Sequence, residues 1–295
     1  MDAFPGLQTS SSDFDQPAWG TLGIPLDENH ARLIYKLETE YAVLRYTIYK
    51  EGARVAAYTH TAPALVYGVG GPCAEFDGNG DGGLVKRRLT FYPRGSSHSL
   101  QYFGKTRLIA LDLLDKSYDW PTASTALPAT IYDDVWRMML VIAEGGDLEA
   151  AGLAIARLLS SAHSYLHNQP PAWIKDAIGF LHEDWQLVPS TTFIARSLGV
   201  SPQHLCRTFR RHMGLTIQQY AVALRVDHAR GLLWHSGAPI SQIALEAGFA
   251  DQSHLTRALS EHSGWSPRKL RLLLRAARQR ARGEWLSAAP RTPKS

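Results

Sequence analysis

The chain has 295 residues, 45% hydrophobic and 20% charged, with a mean hydropathy of -0.19; this excludes a disordered, collagen-like or mini-protein chain and predicts two globular domains. Two cysteines, Cys73 and Cys206, are too few for a disulfide framework or a cysteine-rich zinc site, so a reducing, cytoplasmic setting is expected, with neither metal nor cofactor. The net charge of +4 hides a division: residues 1–169 hold 14 Lys and Arg against 19 Asp and Glu, whereas residues 170–295 hold 17 against 8, so a polyanionic partner is expected for the second half alone.

Taken in chain order, residues 1–30 show no sustained period and are expected to form a flexible arm; the opening MDAFPGLQTSSSDFDQ is acidic and polar where a secretory signal would be basic and then apolar. No apolar run reaches the ~18 residues a membrane span needs, so no membrane partner is expected. From about 31 to 113 the pattern is one of short strands separated by Gly, Pro and Asp. Leu33, Tyr35 and Leu37 alternate with Arg32, Ile34 and Lys36, while GVGGP and DGNGDGG supply turn chemistry, which predicts a small β-barrel or sandwich. After Pro128 the period lengthens: helices are expected over about 131–143 and 147–167, and 129–168 is read as a helical linker and dimerisation segment. The stripe Leu148, Ala151, Ile155, Leu158, Ala162 and Leu166 is expected to pack on a second subunit or on the strands. Asn168-Gln169-Pro170-Pro171 breaks the helix and coincides with the charge switch, which places a boundary there.

Beyond it the sequence repeats. IARSLGV at 194–200 returns as IALEAGF at 243–249, and His204, Leu205, Arg207, Gly214 and Arg225 stand fifty residues before His254, Leu255, Arg257, Gly264 and Arg275. Each copy reads as a short helix ending near glycine, a tight turn and a second helix, the second helices capped by Ser201 with Pro202 and by Asp251. Leu205 with Phe209, and Leu255 with Leu259, mark buried faces. The opposite faces carry the side chains assigned to DNA contact: Ser201, Gln203, His204, Arg207, Arg210 and Arg211 in the first copy, and Gln252, Ser253, His254, Thr256 and Arg257 in the second. Arg207 and Arg257, about one turn after their caps, are assigned to bases, and Arg210 and Arg211 to phosphates. Between the copies a helical pattern from Thr216 to about Ser236 makes a rod of ~30 Å. That length suits two recognition helices in successive major grooves, which recur every ~34 Å.

GFADQSHLTRALSEHSGWSPRKLR resembles the C-terminal signature of the AraC/XylS family of bacterial transcription regulators at Gly248, Phe249, Ser253, Arg257, Gly264, Ser266 and Pro267, and IARSLGVSPQHLCRTFRRHMG resembles its first helix-turn-helix. The likeness covers roughly 170–275. It departs at Leu255, Leu259 and Leu270, where the family has aromatics, and at Ile217, where it has Pro; all are apolar core or turn positions. FYPRGSSHSLQYFGKTRLIALDL resembles, through Pro93-Arg94-Gly95 and His98, the cupin-type β-barrel that such regulators carry as an effector and dimerisation domain.

The expectation is therefore an α+β protein of two domains: a flexible arm (1–30), a cupin-like effector-binding barrel (31–128), linker helices (129–168), a C-terminal all-α domain of two helix-turn-helix units joined by a long helix (170–278) and a basic tail (279–295). The resemblance implies a homodimeric, non-enzymatic transcription regulator, an activator, with double-stranded DNA, a small-molecule effector and RNA polymerase as partners. Tyr35, Tyr46, Tyr67, His98 and Tyr102 are the candidates for the effector pocket, core filling being the alternative for the tyrosines. His60 and His98 lack the His-x-His plus Glu cluster of cupin metalloenzymes. Two rival readings stand beside the regulator: a cupin-type metalloenzyme with a DNA-targeting domain, and an architectural DNA binder without a ligand.

Overall fold

The computed structural model describes residues 30–276, apart from 78–81, 86–87, 115–116, 145–146, 184 and 187; nearly all of the expected arm and all of the basic tail lie outside the described residues. The strand-rich part forms two antiparallel sheets. The larger has the order β1 (Ala31–Glu38), β2 (Ala42–Tyr49), β9 (Thr106–Leu113), β4 (Ala64–Gly70), β7 (Leu89–Tyr92) and β10 (Thr125–Leu127). The smaller has β3 (Arg54–Thr59), β8 (Ser97–Tyr102), β5 (Cys73–Asp77) and β6 (Gly82–Val85). Among the described residues no ladder joins the two, so the expected cupin-like barrel is two facing sheets and not one closed cylinder. The cause lies at the corners. The chain passes from sheet to sheet after β2, β3, β4, β6, β7 and β8, and several of these passages hold Pro63, Pro72 or Pro93, or glycines at positive φ (Gly52, 81°; Gly95, 85°), where ladder hydrogen bonding stops.

Alternation along the central strands sorts side chains onto two faces. In β4, Ala64 and Val66 point between the sheets, while Leu65, Tyr67 and Val69 point to the helices; in β9, Leu108 and Ala110 divide from Ile109, Leu111 and Leu113 in the same way. Both faces of the larger sheet are thus covered. Helices α1 (Tyr132–Glu144) and α2 (Leu148–His167) follow at the lengths the periodicity predicts, α2 being capped by Asp147, whose Oδ1 accepts the Ala150 N–H at 2.8 Å. The stripe on α2 is covered within the chain: Ile155, Leu158 and Ala162 are wholly buried and Leu166 nearly so, each aliphatic side chain contributing about 1.5–3 kcal/mol. Leu148 and Leu153 are left exposed.

Helices α3 (Ala172–Glu183), α4 (Thr191–Ser197), α5 (Pro202–Met213), α6 (Ile217–His235), α7 (Ile240–Glu246) and α8 (Gln252–Ser263), with a further helix α9 over 267–276, make the C-terminal part. α6 begins at a capping box between Thr216 and Gln219, and beyond its first turn most of it is buried, including Asp227 and Arg230. One side meets the helix-turn-helix units. The other lies against the larger sheet and α1.

Candidate nucleic-acid interface

The duplicated sequence becomes a duplicated shape. α4 and α7 end at Gly199 (φ 67°) and Gly248 (φ 76°), and α5 and α8 end at Gly214 (φ 71°) and Gly264 (φ 73°), left-handed positions that glycine reaches without strain. At the start of α5 the Ser201 hydroxyl accepts the His204 N–H at 3.2 Å, and at the start of α8 Asp251 accepts the His254 N–H at 2.8 Å. Leu205, Phe209 and Met213, and in the second copy Leu255, Ala258 and Leu259, are buried against the short helices and α6. The opposite faces are open. Ser201, Gln203, His204, Arg207, Arg210 and Arg211 are all exposed on the first copy, as are Gln252, Ser253 and Arg257 on the second. His254 and Thr256 are partly covered, His254 edge-on to Phe249 and Thr256 donating its hydroxyl to the Gln252 carbonyl at 2.8 Å. His204 stacks on Trp173 of α3 with ring centroids 5.3 Å apart. The four positions from which family core aromatics or proline are absent, Leu255, Leu259, Leu270 and Ile217, are all buried, so the departures change packing partners and leave the exposed faces as they are.

The domain junction is built from charged and aromatic groups that periodicity does not single out. The Asp227 carboxylate, 1% exposed on α6, accepts the Tyr67 hydroxyl of β4 and the Trp136 indole N–H of α1, the latter at 2.7 Å. One turn on, Arg230 donates to Asp133 at 2.5 Å and lies over the Trp136 ring, while His262 of α8 meets the other oxygen of Asp133 at 3.1 Å. Burial pushes the Asp133 acid up, but His262 and Arg230 outweigh it and hold its pKa below the usual carboxylate range. Tyr46 stacks on Trp234 at 5.2 Å, and Tyr220 is no less central: its hydroxyl accepts the Ala129 N–H at 2.9 Å and meets His182 of α3 at 3.0 Å. Burial lowers the His182 pKa to about 4, so the ring is neutral there. Only α6 itself carried a signal for this: apolar residues recur around it rather than along one stripe, and a helix of that kind must be covered on more than one side.

The five effector candidates separate. Tyr35, Tyr46 and Tyr67 point to the helical side of the larger sheet, whereas His98 and Tyr102 point between the sheets. There His98 uses both ring nitrogens, one against Glu75 at 2.9 Å and the other against the Tyr58 hydroxyl at 2.6 Å, while Arg88 meets Glu75 at 3.1 Å. His60 stacks on Tyr92 at 5.0 Å; its pKa falls to about 4 through burial first and the nearby His98 and Arg45 second. With His98 so engaged, no group of three His, Cys, Asp or Glu side chains suited to a metal gathers among the described residues. The space beside this cluster is about 40 Å³, room for one or two waters at the ~30 Å³ each occupies in the liquid. Burial pushes the neighbouring Cys73 thiol up to about 11, so it stays protonated and unreactive near neutrality.

Residues 194–272 match a family described as a helix-turn-helix domain. Over 100 residues, 34% of the chain, the sequence is 36% identical to the HTH-type transcriptional activator RhaS of Escherichia fergusonii, of which that stretch covers 36%. The C-terminal unit is therefore similar to a helix-turn-helix domain. The chain thus spans about a third of the length of the curated relatives it matches. Similar solved structures include a transcriptional regulator with an AraC-type DNA-binding domain from Chromobacterium violaceum (29% identity, 35% of this chain, 91% of that one, TM-score 0.33). ToxT from Vibrio cholerae is similar over 78% of this chain and 98% of its own at 11% identity and a TM-score of 0.35. Among the described residues no helix is long and apolar enough to cross a membrane.

Proposed function

We propose that the protein is a sequence-specific DNA-binding transcription regulator, an activator controlled by a small molecule, working in the cytoplasm as a homodimer at promoters where it contacts RNA polymerase. The observation that carries this reading is the pair of matched, open faces on α5 and α8, each headed by a capped N-terminus and each presenting an arginine, Arg207 or Arg257, about a turn and a half after the cap. The shared α6, about 28 Å long, spaces the two faces for adjacent major grooves. Ser201, Gln203, His204, Arg207, Arg210 and Arg211 would serve one box, and Gln252, Ser253, His254, Thr256 and Arg257 the other. The AraC-type domain would take residues 170–278, the effector domain 31–128 and the linker 129–168.

Regulation requires that the β-rich domain change how this unit is presented, and the junction at Asp227 and Asp133 gives the physical route. A ligand that prefers one arrangement of the two domains shifts DNA affinity by its differential affinity, and no more. The test is selection of full-length protein on a random duplex pool: enrichment of two boxes about ten base pairs apart is expected, and recovery of unenriched sequence at low salt would leave only phosphate attraction and end the reading.

A further inference from the structure

We propose that Trp173 of α3, outside both helix-turn-helix units, is a positioning residue for DNA binding: its ring fixes His204 so that the histidine meets a backbone phosphate beside the first box. The inference rests on the DNA reading proposed above. The chain enters α3 through Pro170 and Pro171, whose fixed φ suits a helix start, and the Pro171 carbonyl accepts the Ile174 N–H at 2.9 Å. Trp173 therefore sits in a first turn set by proline. It is partly buried, packs against the hydrophobic core, and stacks on the His204 ring with centroids 5.3 Å and planes 30° apart. His204 itself is exposed in the first turn of α5, and its ring makes no hydrogen bond among the described residues.

The second copy shows what is held in common. His254 occupies the same place in α8, and Phe249 of the preceding turn meets it edge-on with centroids 5.1 Å apart. In the first copy that turn position holds Val200, which has no ring to offer. The ring comes from α3 instead, so aromatic groups from different elements fix the same histidine in both units. Fixing has a physical effect. An exposed side chain loses rotamer freedom when it binds, and one already held by a neighbour loses less, so affinity rises without a new contact. The geometry of α5 decides what His204 touches. Arg211 follows seven residues later, almost two full turns, so the two side chains lie on one line along a flank of the helix, and both are exposed. A flank of a helix in the major groove meets the sugar-phosphate wall, whereas base edges form the floor.

The experiment uses the full-length chain and the duplex that the selection enriches, with affinity read by fluorescence anisotropy. His204→Ala is expected to weaken binding about fivefold, and Trp173→Leu, which keeps an apolar side chain and removes the ring, about two- to fivefold. The losses should not multiply: Trp173→Leu in the His204→Ala protein should add less than about twofold. Trp173→Phe, which restores a ring, should return affinity to within about twofold of the parent. Replacing one phosphate at a time by an uncharged methylphosphonate should find a position that weakens the parent at least about threefold, and His204→Ala and Trp173→Leu should lose that sensitivity. A tryptophan that only supported the fold would leave the phosphonate pattern unchanged. Losses that multiply, no loss with either variant, no rescue by phenylalanine, or one phosphonate pattern for parent and variants would overturn the proposal. Trp173→Met serves as the ringless variant where the circular dichroism of Trp173→Leu departs from the parent. A selection that enriches no boxes removes the DNA reading and this contact with it; enriched boxes with multiplying losses remove this contact alone.

Discussion

At the ends of the two recognition helices, fifty residues apart, the first copy places Arg210, Arg211 and His212 where the second places Ser260, Glu261 and His262. The arginines of α5 are exposed at the end of the helix. His262 is instead tied to Asp133 of α1, which also takes Arg230 of α6. Two copies with the same cap positions, turns and buried leucines have thus been given different surroundings: one ends in exposed positive charge, while the other is fastened to α1. Duplication preserves what the short-range geometry demands and leaves the rest of the surface free to differ, so the same motif ends in exposed arginines in one place and in a partly buried tether in the other.

The largest test strikes the helix that both copies share. Asp227→Ala removes the acceptor of two buried donors, and the full-length chain should lose about 3–5 kcal/mol in urea denaturation followed by tryptophan fluorescence. Both copies should loosen together; an unchanged midpoint would mean that the junction contributes nothing to holding them.

Acid should separate the copies. His182, beside Tyr220 on the side of the first copy, has a folded pKa of about 4 against ~6.5 when unfolded, so its contribution is intact above pH 6.5 and is lost as pH falls towards 4, at up to about 1.4 kcal/mol per pH unit. Buried His60 adds to the slope in the same window. Asp133, on the side of the second copy, has its folded pKa depressed, so its contribution is present above the unfolded value near 3.9 and disappears only below it. Denaturation midpoints from pH 7 to pH 3, with His182→Gln and Asp133→Asn as references, check this: His182→Gln should flatten the slope above pH 4 and Asp133→Asn should not.

On DNA the copies are expected to read alike and grip unlike. Arg207→Ala and Arg257→Ala should each cost about 1–3 kcal/mol and relax base preference in one box, measured against single-base operator variants; a uniform loss with the profile intact would turn these arginines into phosphate contacts. The smallest effect is for Arg210→Ala, which should weaken all sequences alike and reduce the salt slope by ~0.9, the release accompanying one phosphate contact, with no counterpart at Ser260.

By itself the sequence determined the repeated unit almost completely. Its caps, Ser201, Asp251 and Thr216, and its glycines at positive φ act on neighbours three or four residues away, so residue type alone decides them, and the buried leucines follow from a period of 3.6. The strands were legible by the same alternation, but not their partition into two sheets, because which edges pair depends on how the corners turn. The effector candidates show the same limit: Tyr46 and Tyr67 read as strand tyrosines, and only the packing of α6 turned them towards Trp234 and Asp227. Asp227 reaches Tyr67 across 160 residues and Trp136 across 91. Contacts at such separations leave no period in the chain; they exist only once two independently patterned surfaces have met, which is why the junction belongs to the tertiary structure alone.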